Sequence, residues 1–169
     1  HEYQLSFSDS SEPLSFAVTF SDEPLSNNLP DPTSTEEATS QAATIKLGAP
    51  LATKPVFFKN HRSNGMDIAV QDVQNNLYLI SPTGKVYWKK QLDSRVLGDI
   101  QSVDILRNGR IQLAFATQNQ LHVTDREGNP VRPFPLKFRD PITQPVSIFD
   151  YDNKRDYRFV VVQDKEVLM

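Results

Sequence analysis

The sequence predicts an all-β protein that is built from one repeated unit. An apolar triplet recurs with offsets of 45 and 46 residues, as Ile68-Ala69-Val70, Leu113-Ala114-Phe115 and Phe159-Val160-Val161. Asn, Gly, Asp and Pro, the residues of tight hairpin turns, fill the gaps between apolar segments, for example at Asn64-Gly65 and Asn108-Gly109. After Leu51 no segment shows the apolar stripe of a helix, so the repeat is one of short strands.

Each repeat contains about four short strands in 40 to 50 residues, which are the dimensions of one blade of a β-propeller. We therefore predict a partial β-propeller of about two and a half four-stranded antiparallel blades over residues 45–169. The repeats fall near residues 55–98, 99–142 and 143–169, the third being truncated. Because closed propellers use roughly four to eight blades, we expect this chain to be a fragment whose remaining blades belong to a longer parent.

The N-terminal segment has a different character from the repeats. Residues 1–50 hold eight acidic side chains and one lysine, a net charge of −7, whereas residues 51–169 hold thirteen acidic and seventeen basic side chains. Residues 1–25 contain two alternating apolar stretches, which predict short strands or the end of a preceding domain. Residues 26–44 are too poor in large apolar side chains to offset the entropy of ordering, and predict a disordered linker.

The composition also bears on classes of function. The chain has no cysteine, which excludes a disulfide framework and a thiolate site. No segment approaches the roughly 20 apolar residues of a membrane-spanning helix, so no transmembrane segment is predicted. The lysines and arginines are scattered over predicted turns and strand ends rather than clustered with aromatic residues, so we expect no nucleic-acid partner.

The segment that runs from Leu77 to Lys89 resembles the quinoprotein-like (PQQ-like) propeller repeat. In that family a Thr-Gly turn precedes a tryptophan that docks between blades, and the corresponding residues here are Thr83, Gly84 and Trp88. In this first copy of the repeat, the Thr-Gly turn is one residue shorter than the family's and has Ser81 in place of the usual aspartate. The second copy keeps Asp125 and Gly128 but has Glu127 for the threonine and Arg132 for the tryptophan. The resemblance implies a bacterial propeller of the periplasm or cell envelope.

One loop has spacing that suits a metal ion. Asp150, Asp152 and Asp156 stand at relative positions one, three and seven of a short loop, where their oxygens would suit calcium. Lys154 occupies position five and would oppose a cation, so the alternative is a simple turn whose side chains bond their own backbone. We predict no cofactor and no catalytic residue, because the three histidines (His1, His61 and His122) are too dispersed to indicate a triad.

Two further segments allow a structural and a binding interpretation. Trp88 and nearby aromatic residues predict packing between sheets, with an exposed binding surface as the alternative. The proline-rich residues 129–136 predict an edge strand or a crossing segment, with a polyproline ligand as the alternative.

The repeat without a catalytic group favours a non-enzymatic scaffold that binds protein partners in the bacterial envelope. The alternative is a fragment of a degenerate quinoprotein-like or carbohydrate-active enzyme whose active site lies in blades outside this sequence. A cluster of polar, titratable residues with perturbed pKa values would distinguish the second function from the first.

Overall fold

The computed structural model describes residues 44–169, and the predictions for residues 1–25 and for nearly all of residues 26–44 lie outside them. The chain divides into two units, residues 1–48 and 49–169, of which the second contains every strand described below. Within the described part, no helix is long and apolar enough to cross a membrane.

Eleven strands form three antiparallel sheets in chain order among the described residues. Sheet 1 contains β1 (Val56–Lys59), β2 (Met66–Gln71), β3 (Asn76–Ile80) and β4 (Val86–Gln91). Sheet 2 contains β5 (Leu97–Val103), β6 (Gln112–Ala116), β7 (Gln120–Thr124) and the two-residue β8 (Leu136–Lys137). Sheet 3 contains β9 (Ser147–Asp150), β10 (Tyr157–Gln163) and β11 (Glu166–Leu168). The all-β prediction is confirmed, and sheets 1 and 2 each have four strands.

The sheets stack face to face. Successive residues of a strand point to opposite sides, so the middle sheet contributes side chains to two separate clusters. In β6, Leu113 and Phe115 join a buried cluster with Leu77 and Leu79 of sheet 1. The alternate residues of β6, Ala114 and Ala116, belong instead to a second cluster shared with sheet 3. Sheet 2 therefore lies between sheets 1 and 3, and each junction is filled by its own apolar cluster.

Three kinds of turn recur, and we name them by their place in a sheet. First turns join the first and second strands, second turns join the second and third, and third turns join the third and fourth. In an antiparallel sheet, first and third turns share one end, and second turns lie at the other.

The third turns of sheets 1 and 2 begin with five-residue loops, residues 81–85 and 125–129, that have the same hydrogen bonds despite their different sequences. In sheet 2 the chain continues through residues 130–135 before β8 begins. In sheet 1 the amide of Gly84 donates to the carbonyl of Ser81 at 3.0 Å, and Lys85 N donates to Ser81 Oγ at 2.9 Å. In sheet 2, Gly128 N and Asn129 N donate to the carbonyl and the side chain of Asp125 at 3.0 and 2.8 Å. Both glycines have positive φ, 87° and 86°. Serine thus replaces the aspartate of the repeat without changing the turn.

Candidate functional site

Trp88 joins sheet 1 to the third turn of sheet 2. Its indole Nε1 donates to the carbonyl of Arg126 at 2.8 Å. Its ring lies over Gly128, where an added Cβ would come within 3.1 Å of the indole Cδ2. Lys90 Nζ, two residues further along β4, donates to the Gly128 carbonyl at 3.1 Å. The residues of the predicted motif therefore meet across a junction between sheets, and the tryptophan requires a residue without a side chain opposite it.

A buried ion pair lies beside this contact. Asp67 of β2 is 1% exposed and accepts a hydrogen bond from Nε of Arg126 at 2.5 Å. The second carboxylate oxygen of Asp67 accepts from Nδ2 of Asn60 at 3.1 Å, and the guanidinium carbon lies 4.5 Å from the ring centre of Tyr87. Burial alone would lower the pKa of Arg126, but the hydrogen bond and charge of Asp67 raise it above its ordinary value. Arg126 thus stays charged, and the buried carboxylate stays paired.

The junction between sheets 2 and 3 contains another carboxylate and arginine. Asp104 opens the first turn of sheet 2 and accepts the amides of Asn108 and Gly109 at 3.0 and 2.8 Å. NH1 of Arg155, in the first turn of sheet 3, lies 2.9 Å from Asp104 Oδ2. In both junctions the carboxylate comes from the earlier sheet and the arginine from the later one.

The three carboxylates considered for calcium do not form a common site. Asp150 Oδ2 accepts the amide of Arg155 at 3.0 Å, as expected for a turn residue. Asp152 lies 2.9 Å from Lys154 Nζ, and Asp156 lies 3.6 Å from an arginine of sheet 2, Arg107. No group of three acidic or histidine side chains in the part of the chain that the structure describes is arranged to hold a metal ion. One oxygen of each carboxylate contacts a local amide or cation, whereas the other oxygen of Asp150, Oδ1, is buried without a hydrogen-bond partner.

Asp72 organises the second turn of sheet 1. It is fully buried and accepts hydrogen bonds from the amides of Gln74 and Asn76, from Nδ2 of Asn76 and from the hydroxyl of Tyr78, all at 2.8 to 2.9 Å. Burial would raise the pKa of Asp72, but these hydrogen bonds lower it below 3.8. Burial and the charged partner raise the pKa of Tyr78 to about 12. The hydrogen-bond network therefore accounts for the burial of a charged aspartate.

His122 of β7 is buried near the segment that links sheets 1 and 2. Its ring stacks on Phe115 with centroids 4.8 Å apart, and its Nε2 lies 3.5 Å from Thr117 Oγ1 and 3.7 Å from Asp93 Oδ1. In a nucleophilic triad the hydroxyl and the carboxylate contact different nitrogens of the histidine, whereas here both approach the same one. Burial and the charge of Lys90 lower the pKa of His122 below 6.5, against the opposing effect of Asp93. The cluster joins sheet 2 to the segment that links it to sheet 1, and it lacks the geometry of a nucleophilic triad.

Phe134 is a large aromatic residue of sheet 2 that packs at the junction with sheet 3. The proline-rich segment brings Phe134 into the second apolar cluster, with its ring centre 5.5 Å from that of Phe159 in sheet 3. The amides of Val131 and Phe134 donate to main-chain carbonyls of the same sheet. The segment is therefore a crossing segment that leads into the edge strand β8, and its aromatic side chain is not displayed as a polyproline ligand would be. An apolar cavity of about 560 Å³ adjoins it between sheets 2 and 3.

Large apolar side chains are exposed on the first turns of sheets 2 and 3. Leu106 is 54% exposed and Tyr151 is 93% exposed. The two turns contact each other through Arg155 and Asp104, and through Nε of Arg107, which donates to the Arg155 carbonyl at 3.2 Å. This end of the sheets thus presents an apolar and an aromatic side chain on turns that are fixed to one another.

Stacked antiparallel sheets, two of four strands and one of three, joined in chain order define a partial β-propeller. No known protein family and no curated protein matches the sequence. Among solved structures, the chain is similar to BBS1N in the crystal structure of its complex with ARL6DN, which was soaked with mercury. The TM-score is 0.50 at 15% sequence identity, over 76% of this chain and 36% of that chain. This chain thus spans about a third of the length of that structure, and the likeness concerns the fold.

Sequence reasoning missed the carboxylate and arginine pairs between sheets. Asp67 and Arg126 are 59 residues apart, and neither belongs to the tryptophan motif. The sequence signal for the first pair was the charge of Asp67 directly before the apolar triplet of β2, since a charged residue within a buried strand requires a partner.

Proposed function

We propose that this chain is a non-enzymatic propeller segment that acts as a scaffold for protein partners. The observation that carries the proposal is the exposure of Leu106 and Tyr151 on two adjacent first turns. Tyrosine and arginine are enriched among the residues that contribute most to protein-protein binding, and Arg107 lies on the same turn as Leu106.

The ion pair that links these two turns supports the proposal. Asp104 fixes the first turn of sheet 2 through two backbone amides and binds Arg155 of sheet 3. A surface that is ordered before binding loses less conformational entropy when a partner docks. The fixed turns therefore favour recognition of a structured protein surface. The similar structure, BBS1N, was itself crystallised in complex with another protein, which is consistent with a binding role for this fold.

We further propose a family and a compartment for this chain, the PQQ-like propeller repeats and the bacterial periplasm or cell envelope. The contact of Trp88 with Gly128, and the matching third turns that begin at Ser81 and Asp125, support membership of the PQQ-like propeller repeats. On that resemblance we propose that the protein lies in the bacterial periplasm or cell envelope. Fractionation of cells, followed by detection of the protein, tests the compartment.

We propose that the remaining blades of a longer parent chain are further partners. Phe149, Val160 and Val162 lie on the side of sheet 3 that faces away from sheet 2, and Phe149 is 52% exposed. The corresponding sides of sheets 1 and 2 are covered by the next sheet, which supports a further sheet here.

Crosslinking in cells tests the scaffold function. The full-length parent is captured after mild crosslinking, and the proteins that accompany it are quantified by mass spectrometry. Replacing both Leu106→Ser and Tyr151→Ser should deplete a specific partner about tenfold or more, since truncation of one hot-spot residue such as Tyr151 costs at least about 2 kcal/mol. The matched control is Val73→Ser, which alters an equally exposed side chain (56%) at the opposite end of sheet 1. Equal recovery of partners by both variants, or capture of the parent alone, would refute the proposal.

A further inference from the structure

Two Asn-Gly pairs occupy the same place in two sheets of this fold. Asn64-Gly65 lies in the first turn of sheet 1, and Asn108-Gly109 lies in the first turn of sheet 2. Both asparagine side chains are exposed. In such a pair the glycine amide nitrogen can approach the asparagine carboxamide carbon, because glycine has no Cβ and the backbone turns freely. Whether the two atoms meet depends on the hydrogen bonds that hold each turn.

In the second pair, Asn108-Gly109, hydrogen bonds keep the glycine nitrogen away from the asparagine carboxamide. Gly109 N donates to Asp104 Oδ2 at 2.8 Å, a bond to a charged acceptor. The Asn108 amide donates to the other oxygen of the same carboxylate at 3.0 Å, and Asn108 Oδ1 accepts the amide of Arg110 at 3.0 Å. Both the attacking nitrogen and the carboxamide are therefore bound.

The first pair lacks these restraints. Gly65 N donates to the neutral Ser63 Oγ at 3.3 Å, which is longer than the usual N–H···O range. Among the hydrogen bonds of residues 44–169, none involves the Asn64 carboxamide. The hydrogen bond that closes this turn uses the Gly65 carbonyl, which accepts from Asn60 N at 3.0 Å, and not the Gly65 amide nitrogen. The Asn64 side chain is thus free to rotate towards the nitrogen that follows it.

We propose that Asn64 is a site of spontaneous deamidation. The Gly65 amide nitrogen loses its proton to water and attacks Cγ of Asn64, and the side-chain nitrogen leaves as ammonia. The resulting five-membered imide is opened by water at either carbonyl carbon, which gives aspartate or isoaspartate. The net reaction consumes one water, releases one ammonia and involves no oxidation or reduction.

The modification changes the charge of one end of sheet 1. A new carboxylate appears two residues from Arg62, which lies 2.5 Å from Glu127 in the third turn of sheet 2. The isoaspartate product also lengthens the backbone of the first turn by one carbon. The site therefore converts slowly from a neutral to an anionic turn beside an ion pair between sheets.

The experiment incubates the folded chain at neutral and mildly alkaline pH and follows both asparagines by peptide mass spectrometry that separates aspartate from isoaspartate. Synthetic peptides of residues 60–68 and 104–112 give the rates without the fold. Asn64 should convert within about tenfold of its peptide rate, whereas Asn108 should be slowed about ten- to a hundredfold by the bond to Asp104. Faster conversion at alkaline pH is expected, because the attacking amide must lose its proton.

Two variants sharpen the result. Asp104→Ala should accelerate conversion of Asn108 about tenfold or more without changing the rate at Asn64, with the fold checked by circular dichroism. Asn64→Gln should abolish the product at this position, because its longer side chain cannot form the five-membered imide. Conversion of Asn108 as fast as Asn64 in the folded chain would overturn the inference, as would strong protection of Asn64 relative to its peptide.

Discussion

Replacing Trp88 tests whether the contact between sheets 1 and 2 stabilises the fold. Trp88→Ala removes a ring that is packed on Gly128 and partly buried against the first apolar cluster. Full removal of a buried tryptophan costs about 3–5 kcal/mol, and partial exposure places this residue near the lower value. The lost hydrogen bond to the Arg126 carbonyl adds about 0.5–1.5 kcal/mol. We expect the free energy of unfolding to fall by about 3.5–4.5 kcal/mol.

Urea titration followed by far-ultraviolet circular dichroism measures this change in free energy. Trp88→Phe keeps an aromatic ring but loses the N–H donor, so a smaller loss of about 1–2 kcal/mol is expected. Val86→Ala, on the same strand and 39% exposed, is the matched control and should change the free energy by less than about 1 kcal/mol. If Trp88→Ala costs no more than Val86→Ala, the indole does not hold the two sheets together.

Two other substitutions test the junctions. His122 has a lowered pKa in the folded chain, so the unfolded chain binds its proton more tightly, and stability should fall as pH decreases below about 6.5 towards the folded pKa. His122→Gln should reduce this loss in urea titrations at neutral and mildly acidic pH, and an unchanged slope would contradict the assignment. Gly98 has a φ of 69°, and an added Cβ would lie 2.6 Å from Cβ of Pro145. Gly98→Ala should therefore lower the melting temperature, with a loss of at least about 1–3 kcal/mol, and a stability equal to wild type would refute the clash.

The division into sheets follows from the sequence because each unit carries a similar apolar triplet on its second strand. Ala69 and Ala114 stand at the same repeat position, and each faces the next sheet in an apolar cluster. The turns were equally readable, since Gly84 and Gly128 supply the positive φ that other residues adopt with difficulty. Repetition of the pattern made these features visible from a single sequence.

The contacts between sheets were not readable in the same way. Strand periodicity predicts which residues share a face of a sheet, but it does not predict which turn of another sheet contacts that face. Arg126 lies on a turn that appears solvated in the sequence, yet it reaches Asp67 in the preceding sheet. The second copy of the repeat has Arg132 at the position of the docking tryptophan. In the structure, Phe134, two residues later, packs in the junction between sheets 2 and 3. The proline-rich segment of the second repeat departs from the pattern of the first. Arg132, which aligns with Trp88 in sequence, therefore does not occupy the corresponding position in the structure.

The position of Trp88 gives the protein a built-in optical reporter. The chain has one tryptophan, and it lies at the junction between sheets 1 and 2. Its fluorescence therefore reports on that junction rather than on the molecule as a whole. If the emission shifts before circular dichroism changes, sheets 1 and 2 separate before their strands unfold. Coincident transitions would show that stacking of these sheets and pairing of their strands are lost together.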